Sequence, residues 1–160
     1  MAEPPVVNAS PLIVLARAHR LDLLQILGDR VLVPEAVVDE VTVHSDEAAR
    51  ALESEARWIK WIPSVPVPEA ISAWDLGRGE SAVLSWALSR PGTIAVIDDF
   101  AARKCAQVLQ IPMKGTLGLI LLAKARGQIP AARPVVEELR RAGLYLSDEL
   151  IAQVLVLVSE

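Results

Sequence analysis

Thr93-Ile94-Ala95-Val96-Ile97-Asp98-Asp99-Phe100-Ala101-Ala102-Arg103 is the stretch that decides how this chain folds. Thr93 to Ile97 is an apolar, partly β-branched run that reads as a buried strand, and it stops at two adjacent carboxylates opening a helical pattern. Taken as the central strand of a parallel sheet, it puts Asp98 and Asp99 in the crevice outside the strands' carboxyl ends, where ligands bind.

Outward from it, strand and helix patterns alternate. Towards the N-terminus, Pro5 to Asn8 and Val31 to Val33 read as short strands. Asn8-Ala9-Ser10-Pro11 is a strand end and helix start, leading into one long or two abutting helices that Gly28 stops. Pro34 opens a helix whose apolar stripe is Val37, Val38 and Val41. Glu35 and Asp39 point away from that stripe, whereas Glu40 borders it. Asp46 to Arg57 reads as a polar helix, Trp58 to Ile62 as a half-exposed strand, and Pro63 to Pro68 as a rigid connection. Gly77-Arg78-Gly79 breaks the chain before a helix in which Glu80 shares a face with Val83 and Ala87.

Towards the C-terminus, Ala101 to Leu109 is an amphipathic helix, Ile111 to Lys114 a strand, and Thr116 a cap for the helix Leu117 to Ala125. Helices at Val135 to Ala142, closed by Gly143, and at Asp148 to Val158, opened by Ser147, complete the chain. This alternation implies an α/β fold, a parallel sheet covered on both faces, built as a single domain over residues 1–160.

At 52% hydrophobic and 22% charged residues, the chain is richer in apolar groups than an average soluble domain. That excess is read as α/β packing with a buried oligomer interface, and a homodimer is the expectation. A net charge of -4 argues against strong non-specific binding to duplex DNA, and 4% aromatic residues argue against an extended base-stacking face. The single Cys105 rules out an internal disulfide and suits the reducing cytoplasm. No secretion signal opens the chain and no apolar run is long enough to span a membrane.

Asn8, Glu40, Glu80 and Asp98 have similar addresses at strand or helix ends, with Asp99 and Thr116 beside them. Clustered carboxylates repel, so a site holding three of them calls for cations. Hard oxygen donors without Cys or His suit one or two Mg²⁺ or Mn²⁺ ions, which activate water in phosphodiester hydrolysis.

The order and spacing of VVNASPLIVLARAHRLDLLQILG, VPEAVVDEV, GRGESAVLSWA, VIDDFAARKCA and KGTLGLILLAKARGQIP resemble PIN-like domain proteins, specifically a bacterial and archaeal branch of the DUF3368 type. The resemblance implies a three-layer α/β/α sandwich and a metal-dependent ribonuclease of the kind found as toxins in toxin–antitoxin pairs. It implies Glu40, Glu80 and Asp98 as catalytic acids, with Asn8 and Asp99 joining them as metal ligands. Ser10, Arg103, Lys114 and Thr116 are the expected substrate contacts, RNA the expected substrate, and a small antitoxin protein an expected partner. Asn8 is a departure, since a catalytic PIN domain usually has Asp there; an amide keeps a ligating oxygen but removes a charge.

Each residue also has a plainer reading. Asp98 and Asp99 can cap a helix, Glu80 can be an ordinary first-turn acid, Glu40 a solvated helix residue, Asn8 a turn former, and Thr116 a cap. The basic residues Arg103, Lys104, Lys114, Lys124 and Arg126 either flank the cleft or are solvated; the four tryptophans are read as core or interface. Two other functions compete with the nuclease: a weak or inactive PIN-like nucleic-acid-binding or regulatory module, motivated by Asn8, and a phosphate-accepting receiver-like domain. The acidic pair falls too late, and Lys114 and Thr116 come in the wrong order, for the receiver.

Overall fold

The computed structural model describes residues 2–54 and 57–160. Five strands form a parallel sheet in the order β3-β2-β1-β4-β5, with β1 at Val6–Val7, β2 at Val31–Pro34, β3 at Ile59–Ile62, β4 at Ala95–Val96 and β5 at Met113–Lys114. The helices are α1 (Ala9–Arg17), α2 (Glu35–His44), α3 (Asp46–Ser54), α4 (Glu69–Ser72), α5 (Arg78–Ser89), α6 (Phe100–Val108), α7 (Thr116–Ala125), α8 (Ala132–Arg141) and α9 (Asp148–Val156). A 3-10 segment spans Leu21–Leu27. The architecture is the expected three-layer α/β/α sandwich.

Val6 and Val7 are both fully buried, as a strand covered on both faces requires. β1 is clamped from both sides: Leu32 N–H donates to Pro5 O at 2.8 Å, Val6 N–H to Ile94 O at 2.9 Å and Asn8 N–H to Val96 O at 3.0 Å. The central strand is therefore β1, and the stretch Thr93 to Ile97 lies beside it rather than at the centre. An apolar run reports burial on both faces, which β1 and β4 share, and carries no information about order across the sheet. The ladder still includes Ile97, whose N–H donates to Lys114 O at 3.1 Å.

The chain builds β1, β2 and β3 outwards in one direction, then crosses back to place β4 on the other side of β1. The strand order reverses between β1 and β4, so the crevice opens beyond Val7 and Val96, where Asn8 and Asp98 follow. α5 packs across β1, β2 and β4, while α7 and α8 pack together near α1.

Three local points sharpen the sequence reading. Of the two readings of the N-terminal helical stretch, two abutting pieces is the one observed, because His19 turns at φ 56° and the following segment winds as a 3-10 helix. Gly79 does not break the chain; it sits buried inside α5, and Gly77 is the N-cap. The helix expected over Asp46 to Arg57 is observed as far as Ser54, and its residues 55–56 lie outside the described residues. α9 buries Ile151 and Leu155 while Val156 and the following Leu157 stay exposed, and Cys105 is a buried free thiol. Among the described residues, no helix is long and apolar enough to cross a membrane.

Arg20, just past α1, donates from Nε and Nη2 to the two carboxylate oxygens of Glu138 on α8, at 2.9 and 3.1 Å. The hydrogen bond to Arg20 holds the Glu138 carboxyl below its ordinary range. A lowered folded-state value means the pair's stabilisation is present above the unfolded carboxylate value of 4.5 and is lost as pH falls through the folded one. Because both groups are about a third exposed, the contribution is that of a surface pair, about 0.2–1 kcal/mol. Urea unfolding of Glu138→Gln should therefore show a lower midpoint than the parent at neutral pH and a smaller loss on acidification; equal acid sensitivity would refute this.

Candidate functional site

Asn8 follows β1 and starts α1, but its side chain makes no capping bond to the helix. It is instead 1% exposed, with Nδ2 donating to Glu80 Oε1 at 3.3 Å and Oδ1 buried without a partner. The turn-forming role is thus not what the amide does; it faces the acids. A buried amide oxygen without a donor costs about 1–3 kcal/mol, so this atom is one that a ligand would satisfy.

Glu40 and Glu80 reach this place on α2 and α5, which approach closely because Gly79 has no side chain. A Cβ built on Gly79 would lie 3.1 Å from Asn8 Oδ1, 3.5 Å from Val37 Cγ2 and 3.6 Å from Glu40 Oε1. Glu40 is half-buried rather than solvated. Burial first, and then the negative charge of Glu80, raise its carboxyl above the ordinary value of 4.5; His44 opposes them weakly.

Asp98 follows β4 and is bound to the start of α7. Its Oδ1 accepts from Thr116 N–H at 2.7 Å and its Oδ2 from Thr116 Oγ1 at 2.5 Å. Thr116 is 0% exposed, and Gly115 rather than Thr116 is the N-cap. The threonine therefore serves the fold by fixing Asp98, and in this arrangement it offers no surface to a substrate. Asp99 is exposed and caps α6, its Oδ2 accepting from Ala102 N–H at 2.9 Å. Two neighbours in sequence thus hold two different helices.

Glu80, Asp98 and Asp99 line one cleft of about 500 Å³ together with Ser10, Arg17 and Tyr145. A second groove, about 540 Å³, begins at Asp98 and runs past Arg103 and Lys114 towards α9. Arg103 Nη1 donates to Ile97 O at 3.1 Å, which keeps its guanidinium beside Asp98. Of the other basic candidates, Lys104 lies over the Phe100 ring, Lys124 bonds Pro130 O and Arg126 bonds Ile26 O, so these are engaged elsewhere. Arg17 and Tyr145 were not singled out by sequence; Arg17 reads as an ordinary last-turn cation, and nothing in a loop pattern marks Tyr145.

The expected residues thus gather in two adjoining sets: Asn8, Glu40 and Glu80 around Gly79, and Glu80 with Asp98 and Asp99 along the cleft. Among the described residues, no three His, Cys, Asp or Glu side chains stand close enough together to hold a metal ion as they are placed. The donors available are nevertheless all oxygens, one of them the unpartnered Asn8 Oδ1, and in kind they fit a hard divalent cation.

The family model of DUF3368, described as a PIN domain, matches residues 4–160, and the chain belongs to that family. PIN domains are in general nucleases and typically use divalent metals. No curated protein matches the chain.

Two variants test this geometry. Glu40's raised value means its charged form opposes folding: stability falls as pH rises from 4.5 through the folded value, and the deficit persists at neutral pH. Glu40→Gln should accordingly raise Tm at neutral pH and leave it nearly unchanged in acid; a lower neutral Tm would show that no such opposition exists. Gly79→Ala gains helix propensity of about 1 kcal/mol but crowds an Asn8 side chain fixed between a sheet strand and Glu80. Set against an overfilled-core cost of about 1–3 kcal/mol, that gain leaves an expected net destabilisation of up to about 2 kcal/mol in chemical denaturation; a more stable variant would contradict this close packing.

Proposed function

We propose that this protein is a metal-dependent endoribonuclease of PIN type that hydrolyses RNA phosphodiester bonds. The observation that carries the proposal is the meeting of Glu80 and Asp98 on one cleft at the point where strand order reverses, with Asn8 and Glu40 adjoining Glu80. Asn8, Glu40, Glu80 and Asp98 would hold the ion. A bound Mg²⁺ or Mn²⁺ supplies activation of water and stabilisation of the leaving oxygen.

The chain's own groups orient and balance charge. Thr116 holds the Asp98 carboxylate through both oxygens and still leaves each a lone pair. Asn8 steers Glu80 through its Nδ2. Arg17, Arg103 and Lys114 offset phosphate charge on either side of Asp98, which an overall charge of -4 would otherwise repel. The toxin role, an antitoxin partner and a homodimer belong to the same proposal; the resemblance supports the first two, and the exposed Val156 and Leu157 at the end of α9 support the last.

Asp98→Asn is the informative variant because an amide can keep both contacts to Thr116, its oxygen accepting the N–H and its nitrogen donating to the hydroxyl. With Mn²⁺ present, RNA cleavage should fall by about 100-fold or more while Tm changes little. Absence of cleavage by the parent across varied RNAs, with metal bound, would end the nuclease reading.

The second reading, a weak or inactive binding module, is favoured by one observation: the buried Asn8 amide adds no charge beside Glu80. Asn8→Asp should lower Tm without metal and restore it with Mn²⁺. If it also creates cleavage that the parent lacks, the parent is the binding module.

A further inference from the structure

Tyr145 is 93% exposed, and packing gives no reason for an aromatic ring to stand in water there. It is the only tyrosine in a chain with one phenylalanine. Together with Asp98 and Leu144 it lines both grooves, so that it stands at the rim where they meet the reaction site.

Its backbone is fixed although its ring is free. α8 ends in Gly143 at φ 116°, with Gly143 N–H donating to Arg140 O at 3.1 Å and Leu144 N–H to Leu139 O at 2.9 Å. That pair of bonds is the glycine-terminated helix stop in which the residue after the glycine packs back on the helix. Leu144 is half-buried and anchors the turn, which delivers Tyr145 outward. A ring presented on a fixed backbone, with few torsions to freeze, stacks at low entropic cost.

The other exposed aromatics do not have this address. Phe100 lines neither groove, and its ring is partly covered by Lys104 Nζ, 5.0 Å from the centroid. Trp61 lies on β3, at the opposite edge of the sheet from β5.

We propose that Tyr145 stacks on an unpaired base of the substrate as its backbone passes Asp98 between Arg17 and Lys114. This rests on the nuclease reading above and assigns the residue that grips a base of the substrate. A duplex keeps its base faces stacked inside, so it has none to give Tyr145. Aromatic stacking is tolerant of sequence, and it supplies affinity that an acidic chain cannot draw from charge.

The test uses Asp98→Asn protein, which is impaired in cleavage, with a short fluorescein-labelled single-stranded RNA and the matching duplex. Adding Tyr145→Ala should weaken single-strand binding about 5- to 100-fold, leave duplex binding unchanged and leave Tm unchanged. Tyr145→Phe should bind like the parent, and Phe100→Ala likewise. Equal single-strand affinity with and without the Tyr145 ring overturns the inference while parent cleavage leaves the nuclease reading standing. If Tyr145→Ala instead loses self-association and binds RNA as before, the ring is a protein contact and the inference is again overturned. If the parent neither binds nor cleaves single-stranded RNA, both readings fall.

Discussion

Everything in this fold hangs on β1, two residues that are bonded along both edges and buried on both faces. Chain that leaves so fully enclosed a strand has one way out, through the crevice where the sheet's strand order turns back. Asn8 is therefore carried into the crevice by the sheet and not by any preference of its own side chain. The same holds for Asp98 one strand away, after Ile97 has made the last bond of the ladder. Polar groups buried at such a place cost free energy unless partnered, so their presence there is an expense that packing alone does not explain.

The acids then divide according to what holds them. Asp99 is spent on the first turn of α6, a structural duty that an exposed capping residue performs well. Asp98 is held through both oxygens and so presents one orientation, whereas Glu40 and Glu80 are set against each other by the approach of α2 and α5. A fixed orientation and like charges held close together are features by which proteins perturb carboxylates at their sites.

Periodicity and punctuation were enough to read the alternation of strands and helices, and hence a parallel sheet with acids at its carboxyl ends. They located Asn8, Glu40, Glu80 and Asp98 because each stands at the edge of an apolar pattern. They could not rank β1 over β4, since both are equally apolar, and they mistook Gly79 for a breaker because glycine's commonest meaning is a turn while here it permits close packing. The partnership of Thr116 with Asp98 spans eighteen residues and depends on β4 and β5 lying side by side, which no local pattern contains. Arg17 and Tyr145 belong to the cleft only because α1 and the turn after α8 converge on it.

Gly79 also bears on how the crevice moves. Where a site is walled by side chains, it can open or close by changes of rotamer, on the fast timescale of single torsions. At Gly79 the wall is helix backbone, facing Asn8 Oδ1 and Glu40, and backbone has no such freedom. The two side-chain oxygens can still turn about their own torsions, but the wall itself recedes only if α5 shifts as a body against β1, β2 and β4, a slower and collective motion. One wall of the acidic end is thus built stiff, while Tyr145 at the rim keeps its torsional freedom until something covers it.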